Sequence, residues 1–220
     1  MSSQILLFVA VGTVLMFLVA LICRKKYELS LIRTVLMTLF LTVVGVAGVA
    51  FMFFIENGRF GGVSFFGAVF FVPPLLIPLA LLLRVPVTAY LDISAPMISA
   101  MLAVMKINCL ISGCCQGRIL HTAASGEGVR FPSQIVELAL AAVIAVFLTV
   151  CIRNGLFRAR VYPLFMIVYG ATRFAMNFMR ETNDFLFGMG IGNVWAAVSV
   201  VIGIVWMTAA SLSRHRRGDL

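Results

Sequence analysis

Seven runs of about twenty apolar residues, each long enough to cross a hydrocarbon core roughly 30 Å thick, recur along this chain and constrain its fold more than any other feature. They lie near Ile5 to Cys23, Thr34 to Ile55, Phe65 to Leu83, Ile93 to Ile111, Gln134 to Ile152, Tyr162 to Met179 and Ile191 to Ser211. With 62% of the 220 residues hydrophobic and 11% charged, too little polar surface remains to coat a soluble globule. The sequence therefore predicts an all-α, polytopic membrane protein of about seven transmembrane helices, forming one domain over residues 1–220. The longest hydrophilic stretch, Gly113 to Pro132, suits a membrane-edge loop better than an independent fold. The first run lacks a basic leader and a small-residue cleavage site, and reads as a retained helix rather than a signal peptide.

Basic residues set the expected orientation. One set of helix ends carries eleven: Arg24, Lys25, Lys26, Arg33, Arg84, Arg153, Arg158, Arg160, Arg214, Arg216 and Arg217. The opposite ends carry Arg59, Arg118, Arg130 and Arg180, and Lys106 and Arg173 fall within runs. This asymmetry predicts an external amino terminus and a cytoplasmic carboxyl terminus. It also accounts for most of the +9 net charge, so the charge calls for anionic lipid head groups and not for nucleic acid.

Charges inside spans are expensive, about 2.5–3.5 kcal/mol at a helix centre, and so require partners. At 1.5 Å of rise per residue, Lys106 lies about 8 Å, Arg173 about 9 Å and Glu137 about 5 Å below the outer edge. Three helices thus bring ionisable groups to one depth. Each has an ordinary structural reading: Lys106 snorkelling along its stem, Arg173 clamped by Glu137. Two cations against one carboxylate nevertheless leave positive charge over, and a phosphate oxyanion is an apt third partner. Arg59, Arg118, Arg130 and Arg180 extend that basic zone.

Glycines cluster at the same face. Gly61, Gly62 and Gly67 flank Ser64, Phe65 and Phe66, and Gly113 and Gly117 bracket Cys114 and Cys115. They suit an oxyanion cradle lined by backbone N–H groups, or plain helix packing. Pro73, Pro74 and Pro78 should kink or interrupt the third span and free carbonyls for neighbours to satisfy. Cys23 and Cys151 read as packing residues at cytoplasmic ends. For Cys109, Cys114 and Cys115, a metal site lacks histidine support beyond His121. A disulfide between adjacent cysteines is strained, and the spacing to Cys109 is not that of a redox pair. Packing beside a glycine turn is the default, with a nucleophilic thiol near Lys106 as the competing reading.

Five segments in this order, GGVSFFG, LDISAP, KINCLISGCCQGR, RFPSQIVE and YGATRFAMNFMRETND, resemble the prolipoprotein diacylglyceryl transferase family over about Gly61 to Asp184. The GCCxG form of the third looks like that of a divergent branch. The resemblance implies a bacterial inner-membrane enzyme with seven spans and its active site toward the outer face. Such an enzyme moves the diacylglyceryl group of phosphatidylglycerol to the thiol of a lipoprotein-precursor cysteine, without metal or cofactor, and releases glycerol phosphate. By position, Lys106 stands at an essential arginine and Arg173 at the arginine of the YGxxR motif that begins with Tyr169. Gly117 matches the signature's late glycine. Arg130, Pro132, Ser133, Gln134 and Glu137 match one family segment, Asp92 and Pro96 another, and Arg180 and Glu181 a third.

The chain departs from the family at Phe66, Cys109 and Phe131, which stand where the family has a histidine, an asparagine and a histidine. Together the residues and the resemblance nominate Arg173, Lys106, Glu137 and His121 for the chemistry. Gly61, Gly62, Ser64, Asp92, Cys109, Ser112, Gly113, Cys114, Cys115, Gly117, Arg118, Arg130, Ser133, Gln134, Tyr169 and Arg180 are nominated for substrate binding. The departures leave room for a degenerate member that binds lipid or a partner membrane protein without turnover. A small-solute transporter fits less well, because the charges gather at one face with no inverted repeat.

Overall fold

The computed structural model describes residues 3–122, 128–180 and 190–216. Glu181, Asp184 and Arg217, used above, lie outside the described residues. Among the described residues, seven α-helices lie over the seven apolar runs: α1 (Ser3–Arg24), α2 (Leu31–Asn57), α3 (Phe66–Leu82), α4 (Val87–Ser112), α5 (Ser133–Arg153), α6 (Val161–Asn177) and α7 (Ile191–Arg216). Five of them, all but α3 and α6, are long and apolar enough to cross a membrane. With 17 residues each, α3 and α6 reach only about 26 Å, slightly short of the hydrocarbon core.

The largest boundary difference is at α4, which starts six residues before the apolar run. Pro86 occupies its N-cap, and Val87–Asp92, all of it ahead of the run, forms the first turns of the helix. α4 is the central element: 72% of its spanning window is buried, by α1, α5, α3 and α6. α2 packs on α3, and α7 on α6. Between α4 and α5 the loop folds into an antiparallel hairpin, β1 (Ile119–Thr122) with β2 (Gly128–Arg130), irregular between Ile119 and His121.

Two local features explain how α3 fits. Its three prolines lie inside one continuous helix rather than interrupting it. Pro73 has no N–H to offer the carbonyl of Val69, four residues back, and the Tyr162 hydroxyl of α6 supplies that bond at 2.8 Å. The expected orphan carbonyl is thus satisfied by a neighbouring helix. At Gly67, a Cβ would collide with the Gly48 carbonyl and the backbone of Val49, so α2 and α3 touch backbone to backbone. Here the packing reading of the glycines holds.

At the end of the bundle where α4 begins, Asp92 organises the connections. Its carboxylate accepts from the Tyr27 hydroxyl at 2.6 Å, the Ala159 N–H at 2.6 Å and the Val161 N–H at 2.9 Å. Arg158 stacks over the Tyr27 ring, 5.7 Å from its centroid. One buried carboxylate thereby fixes the turn after α1 and the entry to α6.

Candidate functional site

The opposite end gathers the charges. Lys106 near the end of α4, Glu137 in the second turn of α5 and Arg173 near the end of α6 meet because successive helices run in opposite directions. Lys106 pairs with Oε2 of Glu137, while Oε1 receives Nη1 of Arg173 at 2.6 Å and Nη1 of Arg180 at 3.3 Å. The Glu137 side chain is 7% exposed, and its three partners are 10%, 21% and 14% exposed. The convergence expected of Lys106, Arg173 and Glu137 is present, and Arg180 joins it as a fourth member.

Below this cluster lies a small cleft, a cavity of about 20 Å³. Glu137 and Arg173 stand at its head, and Leu102, Leu140, Ala141, Ile144 and Met176 make most of its wall. Ile144 is seven residues farther along α5 than Glu137, about 10 Å deeper. The arrangement is amphipathic: cations at the mouth, apolar side chains inward. Tyr169 and Thr172 complete the wall. Tyr169 packs between Phe165, Phe65 and Phe66, with ring centroids 5.6, 5.3 and 5.6 Å away. Phe66, 3% exposed, also stacks on Phe70 at 5.9 Å.

The glycine–cysteine loop lies beside the charge cluster, where Cys115 interacts electrostatically with Lys106 and Arg180. Gly113 ends α4 in the left-handed region (φ 66°) with its N–H bonded to the Cys109 carbonyl, and Cys115 is left-handed as well (φ 59°). Side chains of α5 hold the loop from below: Ser133 Oγ donates to the Cys115 carbonyl at 2.7 Å and Gln134 Nε2 to the Cys114 carbonyl at 2.8 Å. Gly117 bridges to the Arg180 backbone, and its carbonyl accepts from Arg130 Nη1 at 3.3 Å. The Arg118 N–H donates to Met179 at 3.0 Å, and the Phe131 N–H to Arg118 at 3.0 Å. Ser133, Gln134, Gly117 and Arg130 therefore shape the loop.

The three cysteines are reduced, and their sulfurs lie within 4.8 Å of one another. The spacing that argued against a redox pair is overcome by the turn at Gly113, which folds Cys114 and Cys115 back over Cys109. A hydrogen bond from the Cys109 thiol, aided by the charges of Lys106 and Arg180, draws the Cys115 thiol down to about 4 against the opposing effect of burial.

Other nominated residues lie apart from this centre. Asp92 is fourteen residues before Lys106 on α4, about 21 Å away along the axis, and is occupied by Tyr27 and backbone N–H groups. The structure does not bring it to the candidate substrate site. His121 is exposed on β1 opposite Val129, and no hydrogen bond or ion pair among the described residues ties it to the charges. Ser112 is exposed at the end of α4. Gly61 (φ 134°) has open space around it, whereas Gly62 packs against the Phe53 ring. Ser64 donates to Oε1 of Glu56 at 2.7 Å.

Glu56 was not among the nominated residues. It interacts electrostatically with Arg173, and an acidic residue directly after an apolar run was the available signal. The buried Asn108, whose Oδ1 has no hydrogen-bond partner among the described residues, was also not nominated.

A bundle of apolar helices, five of them long enough to cross a membrane, with a lysine–arginine–glutamate cluster at one end, defines the class as an all-α membrane protein. The comparisons with known proteins agree with the sequence motifs. The family model described as prolipoprotein diacylglyceryl transferase matches residues 5–209, and the chain belongs to that family. It is 32% identical over 166 residues to the phosphatidylglycerol–prolipoprotein diacylglyceryl transferase of Methylobacillus flagellatus, covering 70% of this chain and 63% of that one. Proteins of the same name from Burkholderia mallei and Burkholderia pseudomallei are 35% identical over 96 residues, covering 41% of this chain and 31% of theirs. The chain thus spans less than two thirds of the length of these relatives.

Proposed function

We propose that this protein is a phospholipid-dependent transferase, moving the diacylglyceryl group of an anionic phospholipid such as phosphatidylglycerol to an acceptor thiol, by analogy with the relatives a lipoprotein cysteine. The observation that carries the reading is the convergence of Lys106, Arg173 and Arg180 on the single carboxylate of Glu137, at the head of an apolar cleft. Three cations with one directly paired anion can turn toward a lipid phosphate, with apolar side chains beside them for the start of the lipid tail. Charge grows on the phosphate as its bond to the glyceryl carbon breaks. Pre-oriented cations stabilise that charge most when it is fully developed, and this electrostatic effect supplies the main rate enhancement. Glu137 orients the cations. The acceptor's sulfur bonds to the glyceryl carbon and gives up its proton to solvent, and the phosphate oxygen leaves with the bonding electrons as glycerol phosphate.

In this reading α3 and α6 also cross the bilayer, giving seven spans in one domain with an external amino terminus. The charge cluster then lies toward the outer leaflet of a bacterial cytoplasmic membrane. One observation favours a second reading, a lipid-binding member without turnover: Phe66, at the family's histidine position, is sealed in an aromatic stack and offers no proton acceptor.

Purified protein incubated with phosphatidylglycerol and a lipobox peptide separates the two. Mass spectrometry should find a diacylglyceryl thioether and free glycerol phosphate, and Arg173→Ala should abolish both. Lipid binding without product, across peptide and small-thiol acceptors, would establish the binding protein instead.

A further inference from the structure

Cys109, Cys114 and Cys115 are not used by the electrostatic mechanism, yet they are the most closely assembled soft ligands among the described residues. Their backbones are fixed on all sides, by the Gly113 cap, the Ser133 and Gln134 hydrogen bonds and the bond from the Cys114 N–H to the Cys109 carbonyl at 3.2 Å. Only the side-chain torsions remain to adjust. With zinc–sulfur bonds of about 2.3 Å, ligand sulfurs around a tetrahedral ion stand roughly 3.8 Å apart. The three sulfurs here need to close by about 1 Å at most from their 4.8 Å limit, which torsions can supply.

We propose that these three cysteines form a trithiolate site for a zinc-class divalent ion, with the fourth position open at the mouth of the charge cluster to receive the acceptor thiol. Three protein ligands and one open position is the pattern of catalytic rather than structural zinc. Cys114 is exposed and Cys109 and Cys115 are partly so, leaving the outward side accessible. Three thiolates and a divalent ion carry a net charge of minus one, and Lys106 and Arg180, which both act electrostatically on Cys115, offset it. Histidine support is absent, but thiolates alone suit a soft ion.

The site also answers the missing proton acceptor at Phe66. An acceptor thiol releases its proton to solvent on binding the ion, so no protein base is needed. Its sulfur then forms the bond to the glyceryl carbon as the carbon–oxygen bond to phosphate breaks, and the uncharged thioether product binds the ion weakly and leaves. This second part rests on the transferase reading; the metal site does not.

The test uses the full chain in detergent. After equilibration with zinc and desalting, elemental analysis should find one ion per chain, and cobalt in its place should show a thiolate-to-metal charge-transfer band. Cys109→Ser and Cys114→Ser should each weaken binding by roughly a hundredfold or more, since loss of an outer-shell partner alone costs about 10- to 100-fold. Alkylation of the unmutated protein reads the site without any substitution: zinc should protect all three thiols from iodoacetamide. Zinc no higher than in the triple serine variant, no protection, or a disulfide within the triad overturns the site. Bound zinc with transfer unaffected by chelation overturns the acceptor role alone. Protected thiols in a protein that makes no product retain the metal site while the transferase reading fails.

Discussion

Replacing Glu137 by glutamine tests the charge cluster most directly, because one nearly isosteric change removes the anion that three cations share. Glutamine keeps a single carbonyl oxygen. Its amide nitrogen meets one of the cations, donor against donor, where Lys106 or Arg173 with Arg180 had an acceptor. All four groups are largely shielded from water, so solvent replaces little of the lost attraction. Removing one partner from a buried ion pair costs about 3–5 kcal/mol. Against a typical total stability of about 5–15 kcal/mol, the variant should unfold far more readily. Unfolding in mixed micelles, followed by the fluorescence of Trp195 and Trp206, measures the loss. Adding Lys106→Met restores the original charge surplus and should recover part of it, within the roughly 0.5–3 kcal/mol usual for coupled neighbours. Turnover offers an independent readout. The freed cations still bind lipid phosphate, so KM for the lipid should not rise, but they are no longer aimed. A misplacement of about 1 Å can cost roughly a hundredfold in rate, and kcat should fall by that order. A stability loss below about 1 kcal/mol, or an unchanged kcat, would refute the shared-anion argument.

Gly67→Ala should drive α2 and α3 apart, because the new methyl meets Gly48 backbone that cannot rotate away; about 1–3 kcal/mol of thermal stability should be lost, with Gly45→Ala, in open space, as the neutral control. Tyr162→Phe leaves the Val69 carbonyl without its donor at the proline step, and should cost about 1–3 kcal/mol, read by the same unfolding assay. Asp92→Ala removes the acceptor of two backbone N–H groups and a tyrosine, and should destabilise by at least about 2 kcal/mol and also lower kcat per folded molecule, because the start of α6 that carries Arg173 is released. Phe66→His buries an imidazole in an aromatic stack and should lower stability by about 1–3 kcal/mol in a detergent melt.

The helices were legible because membrane-length apolar runs leave little choice of secondary structure, and depth along each run placed Lys106, Arg173 and Glu137 at one level. Arg180 was legible as part of the basic zone and as a substrate-binding candidate but not as a partner of Glu137, since its reach back to Glu137 depends on how the chain leaves α6. The cysteine cluster was illegible for a related reason. Sequence spacing treats Cys109 and Cys115 as five intervening residues apart, whereas a left-handed Gly113 followed by a left-handed Cys115 folds the chain back on itself. Glu56 was hidden by its position just before a turn, where an acidic residue needs no buried partner to be tolerated.

Asp92 and Lys106 show how far motif position can be carried. Both belong to segments of the family resemblance, and both sit on α4, yet they face different tasks at opposite ends of it. Asp92 spends its oxygens on Tyr27, Ala159 and Val161, which ties the loop ahead of α6 to the first residues after α1. Arg173, near the far end of α6, is held at the correct depth only if α6 begins at the correct height, and Asp92 sets that height through Val161. A residue can therefore act on the site from about 21 Å away through the rigid length of a helix. This predicts that suppressors of an Asp92 variant arise in the Asn154–Arg160 connection and not around Glu137. A selection for restored stability, sequenced across the chain, would reveal them, and suppressors confined to the charge cluster would overturn that mechanical link.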